Sequence, residues 1–110
     1  MEKNKIETYL GFCIRARKMA FGVDTIDTQK RGVFLIVCDS EISPNSLKTL
    51  QAKREQLSCP LLITPPNTLG ALLHKPAVKA VAIKDKNLAD AIVSVATGET
   101  QFKLYSGGTN

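Results

Sequence analysis

Gly22 to Cys38, GVDTIDTQKRGVFLIVC, is the stretch whose reading decides the fold. Its second half, Val33 to Cys38, is an unbroken apolar run rich in β-branched residues, the pattern of an interior strand covered on both faces. Its first half offers only Val23 and Ile26 as apolar residues between two glycines, so a helix there is brief and borrows its stability from tertiary packing. Asp24 and Asp27 suit the positive end of such a helix, Lys30 and Arg31 its negative end, and Gly32 the position just past it. A glycine turn, a short helix, a second glycine and a buried strand make a compact unit able to present backbone donors and cations to a polyanion.

Working upstream, the polar positions Asn4, Thr8, Gly11, Arg15 and Lys18 recur at alternating steps of four and three, with Ile6, Tyr9, Leu10, Cys13, Ile14 and Ala16 on the other side. That spacing predicts an amphipathic helix from Met1 to about Lys18. Arg15 and Lys18 fall on its wet face near the C-terminal end, and Arg17 packs its stem on the buried flank while its head reaches out. Met19 to Phe21 reads as a short strand before Gly22 turns the chain.

Downstream, Ser43-Pro44 is an N-cap followed by proline at the first helical position. Leu47, Leu50 and Leu57 mark the buried side of the helix that follows, with Lys48, Lys53 and Arg54 on its solvated side, and Ser58-Cys59-Pro60 stops it. Leu61 to Thr64 and Val78 to Ile83 read as strands. Between them Pro65-Pro66 fixes a stiff turn, and Leu69, Leu72 and Leu73 form a short helix closed by His74-Lys75-Pro76. Asp85 caps a last helix with Leu88, Ile92 and Val95 on one face and Gly98 at its end. Strands alternating with helices in this way predict an α/β fold, a three-layer α/β/α sandwich around a small four-stranded mixed sheet. Residues 1–98 form the domain, and residues 99–110, with Phe102, Leu104 and Tyr105 as their apolar content, form a C-terminal tail that is mobile unless it docks.

Composition narrows the function. A chain of 110 residues, 44% hydrophobic and 23% charged, is one domain that needs no metal or disulfide to fold. Cys13, Cys38 and Cys59 are odd in number and embedded in apolar sequence, which reads as buried reduced thiols in a cytoplasmic protein. No apolar run approaches the roughly 20 residues of a membrane span, and the N-terminus MEKNKIETYL has no signal-peptide core. The formal charge of +5 favours an acidic partner such as nucleic acid, and the excess is concentrated in the first third of the chain.

Catalysis has little to work with. His74 is the sole histidine and sits at a helix end, and there is no phosphate-binding glycine-rich loop, paired-cysteine metal motif or dinucleotide fingerprint. The reading is a protein with no enzymatic activity, cofactor or small-molecule substrate. Free amides around Val23 to Thr25 would bond phosphates or base edges, with Arg15, Arg17, Lys18, Lys30 and Arg31 supplying counterions from either side. At 5% aromatic residues a stacking platform for single strands is disfavoured, and structured RNA read by shape fits better.

The order GFCIRARKMAFG, a short helix, GVFLIVC, CPLLITPPNTLGALLHKP and VKAVAIKDKNLADAI resembles the L-seven-Ae/L-thirty-e ribosomal protein superfamily of kink-turn RNA binders, most of all its small bacterial YlxQ-type members, from about Ile6 to Val95. The resemblance implies an RNA surface of two elements. One is the glycine-led start of the second helix, Gly22, Val23, Asp24, Thr25 and Thr28; the other is the loop before the fourth helix, Thr64, Pro65, Pro66 and Asn67, which lies against extruded bases. It also implies a ribosomal or other ribonucleoprotein setting. Relatives carry Gly-x-Asn-Glu and then a lysine in the second helix, where this chain has Asp24, Thr25 and Thr28. The implied grip on kink-turns is therefore weakened, and the alternative is a protein-interaction module on the same fold.

Overall fold

In the computed structural model, which describes residues 2–105, the chain runs α1 (Glu2–Arg15), β1 (Met19–Phe21), α2 (Val23–Asp27), β2 (Leu35–Asp39), α3 (Pro44–Leu57), β3 (Leu61–Thr64), α4 (Thr68–Leu73), β4 (Ala80–Ile83), α5 (Lys86–Ala96) and β5 (Lys103–Tyr105). The strands form one sheet in the order β1-β4-β2-β3-β5. β4 runs antiparallel to both β1 and β2, β2 and β3 are parallel, and β5 is antiparallel to β3.

Every residue of β2 is buried, the apolar Leu35 to Cys38 as an interior strand requires and Asp39 with them, whereas Phe34 of the expected run precedes the strand and is exposed. Alternate residues divide between two cores. Leu35 and Val37, with Leu62, Val81 and Ile83, face Ile6, Leu10 and Cys13 of α1, Leu69, Leu72 and Leu73 of α4, and Ala89, Ile92 and Ala96 of α5. Ile36 and Cys38, with Leu61, Ala80 and Ala82, face Ile26 of α2 and Leu50 of α3. The sheet is thus sandwiched between three helices and two, and each fully buried leucine or isoleucine contributes about 1.5–3 kcal/mol relative to exposure. The second face carries Ala20, Ala80 and Ala82, small residues that leave room for a five-residue helix with one fully buried side chain, Ile26. Gly70 has a similar role in α4, where a Cβ would come 3.0 Å from the backbone of Pro76.

The sheet has five strands rather than four. The fifth comes from the expected tail: Leu61, Leu62 and Ile63 pair with Tyr105, Leu104 and Lys103, and Phe102 is buried in the α1/α4/α5 core. The segment docks because β3 offers an unpaired edge that the tail's own sparse apolar residues could not announce. Residues 106–110 of that tail, and Met1 of the predicted first helix, lie outside the described residues.

Two further corrections concern α2 and α3. α2 ends at Asp27, so Lys30, Arg31 and Gly32 belong to a loop rather than to the helix end. The turn is closed by side chains, the Thr28 hydroxyl donating to the Thr25 carbonyl at 2.6 Å and the Lys53 ammonium to the Gln29 carbonyl at 3.0 Å. Lys53 is accordingly 5% exposed and Arg54 half-buried, so of the three residues predicted for the wet side of α3 only Lys48 stands in solvent. Helical periodicity marks the side that faces the sheet; it is blind to α2 covering the flank.

Candidate nucleic-acid interface

β1, β2 and β3 point their C-terminal ends the same way, which gathers Gly22, Ser40–Ile42 and Thr64–Asn67 at one end of the sheet with Lys79 before β4. This is the end at which open α/β sheets present ligand crevices. Gly22, at φ 91 and ψ 150, adopts a backbone that side chains rarely tolerate, and its amide donates to the Ala80 carbonyl at 2.9 Å. Glycine at the N-cap brings no side-chain hydrogen bond to the first turn of α2. Beside it a hollow of about 410 Å³ is lined by Phe21, Gly22, Val23, Glu41, Val78 and Lys79. Ile42 separates it from a more apolar groove of about 500 Å³ along Ile63, Pro65, Pro66, Lys103 and Tyr105.

The Thr64–Asn67 loop is held by a residue that no motif announced. Asp39, at the end of β2, is fully buried. One carboxylate oxygen accepts from the amides of Glu41 at 2.9 Å and Asn67 at 3.2 Å; the other accepts from Thr68 at 3.0 Å and Leu69 at 3.3 Å. The Thr64 hydroxyl, 3.5 Å away, completes the set. Asn67, at φ 59, makes no side-chain cap, so Asp39 caps α4 from another strand. Burial alone would raise its pKa, but the amides of Glu41, Asn67, Leu69 and Thr68 outweigh burial and hold the carboxyl below its ordinary 3.8. The first amides of α4 are therefore already taken by the protein's own carboxylate.

Of the residues expected to touch RNA, Gly22, Val23, Asp24 and Thr25 share this end with Thr64, Pro65 and Pro66. Asp24, Thr25 and Pro66 are exposed, Gly22, Val23 and Pro65 half-buried, and Thr64 buried as part of the support. Thr28 is exposed at the far end of α2, with its hydroxyl proton committed to Thr25.

The expected cations are placed differently. Lys18 carbonyl accepts from the Lys84 amide at 2.7 Å, Phe34 amide donates to Ile83 at 2.9 Å, and Ile36 amide donates to Pro60 at 3.0 Å, which puts Lys18, Lys84, Phe34 and Pro60 together at the opposite end of the sheet. Arg17, at φ 59, adjoins Lys18, and the exposed Lys30 and Arg31 line a cavity there with Phe34, Pro60 and Lys86. Arg15 lies on α1 with its guanidinium 5.1 Å from the Phe12 ring centroid. Arg17 and Lys18 therefore do not flank the Gly22 amides: β1 intervenes, three residues spanning roughly 10 Å. The cations that do stand at the Gly22 end are Lys79, Lys103 and Lys75, whose ammonium is 5.8 Å from the Phe21 ring centroid. Sequence proximity to the glycine turn missed all three, because two are brought there by β4 and β5.

The thiols are unsuited to nucleophilic work. Burial pushes Cys13 up to about 11, with Asp85 adding to it, Cys38 to about 12, with Asp39 adding, and Cys59 to about 11 against a partial opposing pull from Arg54. His74 Nε2 pairs with Glu7 Oε2 on the surface between α1 and α4. Among the described residues there is no group of three or more His, Cys, Asp or Glu placed to hold a metal ion, and no helix is long and apolar enough to cross a membrane.

No family model matches the chain, and no curated protein matches it. A solved structure does: a protein of unknown function from Bacillus halodurans superposes with a TM-score of 0.71 at 20% sequence identity, covering 84% of this chain and 97% of its own. At that identity the likeness shows a shared α/β/α fold.

Proposed function

We propose that this protein is a non-enzymatic, cytoplasmic RNA-binding domain of the L-seven-Ae/L-thirty-e kind, which holds a structured, kinked RNA at the Gly22 end of its sheet. The observation that carries the reading is the juxtaposition, at one end of the sheet, of the glycine-led start of α2 and the Pro65-Pro66 loop anchored on Asp39. The groove along Thr64, Pro65 and Pro66 receives an extruded base, and Gly22 to Thr25 supply backbone donors to the RNA. Lys75, Lys79 and Lys103 supply local charge. Arg17 and Lys18, further down the β1 edge, and Lys30 and Arg31, past the end of α2, meet the phosphates of a stem that continues along that side. Asp24 and Glu41 oppose phosphates at the same end, so the grip is expected to be looser than the Asn and Glu of the resembling family provide.

The test is a titration of the full chain against a kink-turn RNA, an unkinked duplex and a single strand at two salt concentrations. The kink-turn binds most tightly, with a log-log salt slope of roughly −3 to −5 from neutralising about four to five phosphates. Asp24→Asn combined with Thr25→Glu strengthens it. Equal affinity for the three RNAs removes the shape-reading role, and no binding at low salt leaves the fold as a protein-interaction module.

A further inference from the structure

The opposite end of the sheet holds the largest cavity among those described, about 610 Å³, within the range of small-ligand sites. Its walls come from three separate segments: Lys30, Arg31 and Phe34 before β2, Ser58 to Pro60 after α3, and Lys86 with Asp90 on α5. Phe34 is 39% exposed, an aromatic ring left at the surface of a chain that has few. Among the described residues Lys30 and Arg31 form no ion pair, while Lys86 is paired with Asp90 at 3.1 Å. Arg17, Lys18 and Lys84 stand at the same end, against Asp85, whose carboxylate is turned onto the Leu88 amide. The charge around the cavity is therefore predominantly positive, and Phe34 is the one aromatic ring among its lining residues, beside the aliphatic Val33, Leu57 and Val93.

We propose that this cavity binds one phosphorylated nucleotide unit, with the base against Phe34 and the phosphate held by Lys30 and Arg31. An aromatic face and unpaired cations together match a flat ring joined to an anion, and neither a simple anion nor an apolar ligand uses both. Lys86 adds a third cation when its link to Asp90 yields. Cys59, at 3% exposure and with its thiol pushed up to about 11 by burial against a partial pull from Arg54, is a wall of the site rather than a nucleophile. The unit has two possible sources, a free mononucleotide or an unpaired nucleotide of a longer RNA. The site does not depend on the Gly22 end, from which the sheet separates it.

The experiment is an amide-resolved NMR titration of the full chain at low salt with uridine monophosphate, adenosine monophosphate, inorganic phosphate and a single-stranded RNA hexamer. Shifts are expected at Gly32, Phe34, Ser58 and Cys59 with the nucleotides and only weakly with phosphate. Phe34→Leu, which keeps the bulk and loses the aromatic face, lowers nucleotide affinity about fivefold or more, the scale of one base–aromatic stack. Lys30→Gln with Arg31→Gln abolishes the shifts while leaving Phe34 in place. A hexamer that binds more tightly at these amides than the mononucleotides assigns the unit to RNA, and equal affinity assigns it to a free nucleotide. No shift at these amides with any nucleotide, or equal response to inorganic phosphate with no effect of Phe34→Leu, overturns the proposal. Failure of kink-turn binding at Gly22 to Thr25 would leave these amides and their variants unaffected, so the two readings fail separately.

Discussion

The two ends of the sheet are built by different means. At the Gly22 end the organising element is one buried carboxylate whose two oxygens take four backbone amides, and the exposed cations are few. At the Lys18 end the charges are many, exposed and mostly unpaired, and the backbone there is held by ordinary strand and turn hydrogen bonds. Shape at the first end is fixed at the cost of stability if it is disturbed, whereas charge at the second sits on a scaffold that does not need it. Mutation should therefore separate the two: loss of the buried Asp39 anchor at the first end destabilises the fold, whereas loss of exposed cations at the second end changes ligand binding and its salt response with little effect on stability.

The largest effect belongs to Asp39. Asp39→Ala strands the amides of Asn67, Thr68 and Leu69 and removes the cap of α4, and is expected to cost about 3 kcal/mol or more in urea unfolding. The same residue sets a pH dependence. Its folded carboxyl titrates below the ordinary 3.8, so its stabilisation is full above about pH 4 and is lost as pH falls through the lower folded value. Asp39→Asn keeps the shape but turns an NH2 group toward backbone donors; its acid limb should be flatter than that of the natural chain. An unchanged limb would mean that other carboxylates govern the acid transition.

Lys53 comes next, between the two ends. Its ammonium satisfies the Gln29 carbonyl after α2, and Asp27, 4.0 Å away and 60% exposed, adds little. Lys53→Ala should cost about 2 kcal/mol by leaving that carbonyl unpaired and a gap along α3. Lys48→Ala, on the exposed side of the same helix, should fall within about 0.5 kcal/mol. Equal costs would show that Lys53 is held only by packing that alanine can replace.

Lys53 and Lys48 also show where the sequence could be read and where it could not. The strand core Leu35 to Cys38 was legible as an apolar run, although β2 starts two residues later than the expected Val33 and leaves Phe34 39% exposed. The Ser43-Pro44 start of α3 and the Asp85 cap of α5 were legible because each depends on neighbours within four residues: the Ser43 hydroxyl meets the Ser46 amide and the Asp85 carboxylate meets the Leu88 amide. Asp39 was not, since its partners lie 28 to 30 residues downstream and its place after an apolar run looks like a plain strand ending. β5 was missed for the same reason, as pairing with β3 and burial of Phe102 supply what Lys103 to Tyr105 lack in propensity. The candidate site was half legible. Gly22 and the Thr64–Pro66 loop were found as separate motifs that the sheet brings together, while Lys18 and Gly22, near in sequence, are driven apart by the strand between them.

The smallest change in stability is predicted where the largest change in salt response should occur. Lys30 and Arg31 are exposed in a loop and form no ion pair among the described residues, so Lys30→Gln with Arg31→Gln should leave urea unfolding within about 0.5 kcal/mol of the natural chain. Each cation lost from a phosphate contact removes about 0.9 from the log-log salt slope, so the double variant should bind a kink-turn RNA with a slope shallower by nearly two units. Its preference for the kinked RNA over the duplex should persist, because the groups proposed to read shape are at the other end. A variant that keeps the full slope would place the RNA wholly at the Gly22 end, on Lys75, Lys79 and Lys103. One that loses the preference together with the slope would mean that the two ends do not divide shape from charge at all.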